Sequence, residues 1–133
     1  MEDLAYHKKG AAIFWVTAED PEYPALNIID GDNRSCFCTT GLFPQEIIIA
    51  LPRRAKISKL RTLTLGVKEY QILYSNDEEP VQWSVATTVT LAPKDRPVTE
   101  SSSVALEACF LKLVILSGYN HFVKIHRVFC EGK

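Results

Sequence analysis

The chain has 133 residues, with fifteen Lys or Arg against sixteen Asp or Glu and a net charge of −1. Apolar residues at 47% and charged residues at 23% suffice to close one core without staples, which excludes general disorder and fits a single domain over residues 1–133. The even charge balance also excludes the broad basic surface that nucleic acid or an anionic membrane would require.

At the N-terminus, Glu2 and Asp3 stand where a secretory signal has its basic region, and no apolar stretch follows. A soluble cytosolic protein is therefore expected. The longest apolar runs, 47–51 and 113–116, are far too short to span a bilayer. Residues 12–17 read as the first strand, followed by a polar, proline-containing segment over 18–34. Residues 45–51 form a second strand, too uniformly apolar to have a solvated face. After Pro52 come strands at 57–65 and 70–74, split near Gly66, and then a turn over 76–80.

The clearest alternation follows. Trp83, Val85, Thr87, Val89 and Leu91 share one face, predicted to be buried. Residues 93–103 read as a polar loop with two prolines and a serine cluster. Residues 104–111 carry helix formers behind those serines, so a short helix competes with a strand there. Residues 110–116 are apolar on both faces, which predicts a central strand. Residues 122–130 close the chain, with Val123, Ile125 and Phe129 expected inward. Short apolar stretches at intervals of about ten residues make an all-β sandwich or barrel.

Signatures of catalysis are absent: no phosphate-cradling glycine loop, no nucleophile elbow and no zincin motif. A non-enzymatic protein is expected. Cys36 and Cys38 are two apart, which on a strand separates their Cα atoms by about 6.5–7 Å, at or beyond disulfide range. Cys109 and Cys130 read as small buried hydrophobes, and all four cysteines as reduced. A zinc site from these with His121 or His126 matches no standard ligand spacing. On one strand those histidines, five apart, would face opposite ways.

The densest polar segment is Asn27-Ile28-Ile29-Asp30-Gly31-Asp32-Asn33-Arg34-Ser35. Its oxygens suit a hard cation, since tight loops can offer several carbonyls, or simply an Asx-turn entering a strand, which the same residues explain. An EF-hand is excluded, because Ser35 stands where that loop needs its glycine and Gly41 where it needs glutamate.

Residues 27–31, Ser35 and the run Thr39-Thr40-Gly41-Leu42-Phe43-Pro44-Gln45-Glu46-Ile47-Ile48-Ile49 resemble the opening of a galactose-binding-like, discoidin-type domain. More narrowly, together with Glu79-Pro80-Val81, Trp83 and the closing stretches Asn120-His121-Phe122 and Glu131-Gly132, they resemble the subunits of intraflagellar transport built on that domain. The resemblance implies an antiparallel jelly-roll β-sandwich of about eight to ten strands. It also implies a non-enzymatic subunit of the intraflagellar transport B complex, cytoplasmic and ciliary, paired with a Rab-like small GTPase subunit. In such domains a calcium ion ties the loop after the first strand to the end of the chain. By position, Asn27 and Asn33 would offer main-chain oxygens, Asp30 its carboxylate, Ser35 its hydroxyl and carbonyl, and Glu131 the closing ligand. Phe37 stands where a tryptophan is usual in the family. A carbohydrate- or ligand-binding module is the alternative reading and a small cytosolic chaperone the third. Tyr70, Tyr74 and Tyr119 are candidate anchors for a partner.

Overall fold

Two strands of 21 residues each run through both layers of the molecule and fix its architecture. The computed structural model describes residues 2–39 and 42–133; Thr40 and Gly41, within the family-like run, lie outside them. Among the described residues eight strands are formed: β1 (Glu2–Asp3), β2 (Ala12–Val16), β3 (Phe37–Thr39), β4 (Gln45–Leu65), β5 (Val67–Ser75), β6 (Ser84–Thr90), β7 (Val98–Gly118) and β8 (Val123–Gly132). One layer runs β2–β4–β7–β5–β6, using the first part of β4 and the last part of β7. The other runs β8–β4–β7 through the remaining parts of the long strands, with β1 and β3 at the two ends of the free edge of β8. All pairings are antiparallel. This is the expected jelly roll.

The crossing between layers sits where the sequence calls for one. Proline cannot donate to a ladder, and Pro52 falls in the register shift between Ala50 and Ala55. Isoleucines 47 and 49, Leu60, Tyr70, Ile72, Leu111, Leu113, Ile115, Val123 and Ile125 fill the space between the layers. Burying so many branched and aromatic side chains is the main stabilising term, at roughly 1.5–3 kcal/mol for each fully buried one.

Five expectations need correcting. Residues 98–103 are strand rather than loop, and no helix forms at 104–111, because Ser101, Ser102 and Ser103 pair with Arg61, Leu60 and Lys59 on β4. Tertiary pairing outweighs local helix propensity there. Within the supposed polar segment, Ala25–Ile29 forms a 3-10 turn that buries Ala25, Ile28 and Ile29. On β6, Thr87 pairs with Ile72 but Val85 pairs with Leu73, so Ala86 is an extra residue. A one-residue slip inverts the faces: Ala86 packs against the core and Val85 is 53% exposed. On β8 the same device operates at His126, between the Leu63–Arg127 and Thr64–Ile125 pairs. Val128 and Cys130 therefore point inward, and Phe129 lies on the outer side, half-buried. Finally, Cys109 is half-buried rather than buried. All four cysteines are free thiols.

Among the candidate anchors, Tyr70 is core. Its hydroxyl lies 2.6 Å from Thr62 Oγ1, and burial, against the opposing effect of that hydrogen bond, pushes its pKa up to about 12. Tyr74 packs against the core, and Tyr119 is exposed while its hydroxyl donates to the Leu91 carbonyl at 2.6 Å.

Candidate functional site

The polar loop covers the edge of β8 in the gap between β3 and β1. An uncovered edge would present unpaired backbone groups, and here the loop and the N-terminal strand occupy it. Asp30 Oδ1 accepts the Asp32 N–H at 2.9 Å and Asp32 Oδ1 accepts the Arg34 N–H at 2.9 Å, two successive Asx-turns. The Arg34 backbone N–H, aided by its side chain, holds the Asp32 carboxyl below the usual range. Between them Gly31 adopts φ +79°, and a Cβ there would come within 2.9 Å of Tyr6 Cε1, so glycine is required on both counts.

The turns converge on Ser35. Its Oγ lies 2.6 Å from Asp30 Oδ2, 3.0 Å from the Asp32 carbonyl and 3.2 Å from the Asn27 carbonyl. One hydroxyl has one proton to donate, so three neighbouring oxygens cannot all be satisfied by it. That surplus of oxygen is the donor chemistry a hard cation takes. Among the described residues, no three His, Cys, Asp or Glu side chains converge to hold a metal; a cation here would rest on main-chain and hydroxyl oxygens with the Asp30 carboxylate.

The structure therefore brings Asn27, Asp30 and Ser35 together and adds the Asp32 carbonyl, which the sequence reading did not name. The Asn27 side chain braces the loop by donating to the Cys36 carbonyl at 2.8 Å. Asn33 turns its side-chain oxygen to Arg127, 3.3 Å away, and Arg127 also pairs with Asp3 at 3.0 Å. Asp3 in turn accepts the N–H groups of Ala5 and Cys130. His126 Nδ1 lies 3.0 Å from the Ser35 carbonyl, which assigns Nδ1 as the donor. Glu131 stands opposite Asp3 and Lys59, its carbonyl accepting from Ser58. Sequence spacing could not reveal Asp3, His126 and Arg127, which are 91 to 124 residues from their partners.

A second feature lies on the outer face of the five-stranded layer. Ile48, Phe110 and Val114 are buried yet belong to no part of the inner core. Trp15, 48% exposed, stands opposite Ile48, and Phe14, 55% exposed, meets Phe110 edge-on with ring centroids 5.2 Å apart. Lys112 Nζ lies 4.5 Å from the Trp83 ring centroid and 3.8 Å from Glu46 Oε1. A third feature is a cavity of about 810 Å³ lined by Phe43, Tyr119, Asn120, His121, Phe122 and Lys124.

Residues 14–128 match the F5/8 type C domain family, so the sandwich is a domain of that class. The chain is 32% identical over 133 residues to intraflagellar transport protein 25 of Chlamydomonas reinhardtii, covering 99% of this chain and 70% of that protein. It is 31% identical over 132 residues to the homolog in Homo sapiens, covering 98% of this chain and 92% of that one. The chain belongs to the intraflagellar transport protein 25 family. In fold it is similar to chitosan-binding module 1 of a chitosanase/glucanase from Paenibacillus sp. IK-5, with a TM-score of 0.80 at 18% identity over 99% of this chain and 100% of that one. The resemblance read from residues 27–49 is borne out.

Proposed function

We propose that this chain is a non-enzymatic subunit of the intraflagellar transport B complex that forms a heterodimer with a Rab-like small GTPase subunit. Family membership along the whole chain supports an intraflagellar transport role and a ciliary or flagellar setting. No helix among the described residues is long and apolar enough to cross a membrane. The partner docks on the outer face of the five-stranded layer. Exposed Trp15 stands opposite buried Ile48 and exposed Phe14 meets buried Phe110, and aromatic anchors over an apolar floor are what interface hot spots require. Affinity purification of the tagged protein from ciliated cells tests this. Recovery of a Rab-like GTPase at near one-to-one stoichiometry supports the reading, and its absence contradicts it.

The loop of residues 27–35 is proposed to hold a structural calcium ion. Asn27, Asp30 and Ser35 would supply oxygens, with Asn33 and Glu131 as the further ligands that the family resemblance implies. Calcium would neutralise the Asp30 carboxylate and be coordinated by the converging carbonyls, locking the loop onto the edge of β8. Thermal midpoints with calcium and with chelator test this: the expected result is a rise with calcium that Asp30→Asn abolishes. Equal midpoints in the wild type would refute it.

The cavity beside Tyr119 and Phe122 favours the alternative of a ligand-binding module, because an aromatic beside amide and imidazole groups suits a sugar ring. A galactose or chitosan-oligomer titration separates the two readings; the subunit reading predicts no saturation.

A further inference from the structure

The outer face of the second layer carries a cationic pocket that the transport reading does not use. On β4, Arg61 and Leu63 point to this face, flanked by Phe129 and Arg127 on β8 and by Ser101 and Thr99 on β7. Arg61, Leu63, Thr99, Arg127, Phe129 and Asn33 line a cavity of about 120 Å³. Arg61 Cζ lies 4.7 Å from the Phe129 ring centroid and Arg127 Cζ 5.4 Å from it. Two guanidinium groups thus share one aromatic ring, both within cation–π distance of it.

Their partners are unequal. Arg127 is neutralised by Asp3 at 3.0 Å and bonded to Asn33. Arg61 makes no ion pair among the described residues, and its Nε is a buried donor without a hydrogen-bond partner. A buried N–H left unpaired is costly, and the charge is retained because arginine does not deprotonate. Next along this face Lys59 and Glu131 stand directly opposite each other and offset one another in sign, and Lys124, opposite Leu65, lies beyond Leu63 at the other end of the face. The pocket therefore carries one uncompensated positive charge and one unused donor.

We propose that this pocket receives a single carboxylate from an acidic segment of a protein partner. Three features select that ligand. One net positive charge matches a monoanion better than a phosphate dianion. The in-plane fork of a guanidinium fits the two oxygens of a carboxylate. Leu63 and Phe129 give the methylenes of a glutamate or aspartate an apolar wall, and the cavity is too small for a whole sugar or nucleotide.

The test is an NMR titration of the full chain, following the side-chain Nε–H signal of Arg61. The probe is N-acetyl-glutamate N-methylamide at constant ionic strength, compared with its glutamine counterpart and with inorganic phosphate. The carboxylate should shift the Arg61 signal saturably, with a dissociation constant on the order of 10 mM for so small a ligand. The glutamine counterpart should leave it unmoved, and Arg61→Lys, which keeps the charge but not the fork, should weaken binding about tenfold. Arg61→Gln should abolish the probe-induced shifts at Phe129 and Thr99, while Arg54→Ala, on an exposed arginine outside the pocket, should change nothing. No saturation, or saturation unaltered in Arg61→Lys, overturns the proposal. Tighter binding of phosphate than of the carboxylate overturns the ligand assignment. Should Arg61→Gln fail to fold, the lysine variant carries the comparison.

Discussion

The two outer faces of the sandwich are built from the same two long strands yet differ in kind. On the five-stranded layer, β4 contributes Ile48 and β7 contributes Phe110 and Val114, all buried, with exposed Trp15 opposite Ile48 and exposed Phe14 against Phe110. On the opposite layer, the same strands contribute Arg61, Thr99 and Ser101 outward, ordinary alternation with Leu63 as the one apolar group among them. The difference is written in the sequence. Residues 45–51 are apolar on both faces, whereas 57–65 alternate. A strand apolar on both sides in a two-layer fold leaves one side uncovered, and large exposed apolar patches mark interaction sites. The aromatic face has the character the proposed partner docking needs, and the arginine face the character the proposed recognition of a single charge needs.

Alkaline pH tests what the two layers share. Burial, with Asp3 adding to it, pushes the Cys130 thiol from 9.0 to about 12 on the second layer, and burial pushes Tyr70 from 10.0 to about 12 on the first. Both groups are raised acids, bound to their protons longer in the folded state than in the unfolded one. Their contribution is complete below the unfolded values and is lost as pH rises from about 9 to about 12, on the order of 4 kcal/mol for Cys130 and 3 kcal/mol for Tyr70. Denaturant melts across that range should show the fall, and Cys130→Ala should reduce the pH slope by the second layer's share.

Adjacent residues of β4 sharpen the contrast further. Ile49 faces the inner core and Ile48 the aromatic face. Ile49→Ala should cost about 2–5 kcal/mol in a urea melt. Ile48→Ala, beneath side chains free to settle, should cost about 1–2 kcal/mol but weaken partner binding at least about tenfold. Equal stability losses with unchanged binding would erase the distinction between the faces.

The loop of residues 27–35, proposed to hold calcium, should show a comparable effect on stability. At a calcium concentration about a hundredfold above the dissociation constant, the gain should be roughly 3 kcal/mol, lost with chelator. The smallest expected effect is at the surface pair of Lys9 and Glu2, 3.9 Å apart and exposed. Lys9→Ala should change stability by less than about 1 kcal/mol.

Local pattern sufficed wherever local chemistry decides. The period-two run after Trp83, the two-sided apolar strands and the Asx-turns of the loop could all be read directly. The misassigned faces and the missed strand share one cause. Val85 and Phe129 lie on the face opposite to the one their alternation predicts, because bulges at Ala86 and His126 depend on the neighbouring strand, which a single chain segment does not display. The serines at 101–103 look like a loop because their partners on β4 lie about forty residues away. At the loop, Asp30 and Ser35 stood out by composition, whereas His126, Arg127 and Asp3 reach it only through folding.

The most direct test of the proposed function is reconstitution of this chain with a purified Rab-like small GTPase subunit of the transport complex, followed by light scattering and titration calorimetry. The proposed function predicts a stable one-to-one heterodimer whose affinity falls at least about tenfold in Trp15→Ala and is unchanged by Arg34→Ala. No complex, or a complex indifferent to Trp15 and Ile48, would contradict the aromatic face as the site of partnership.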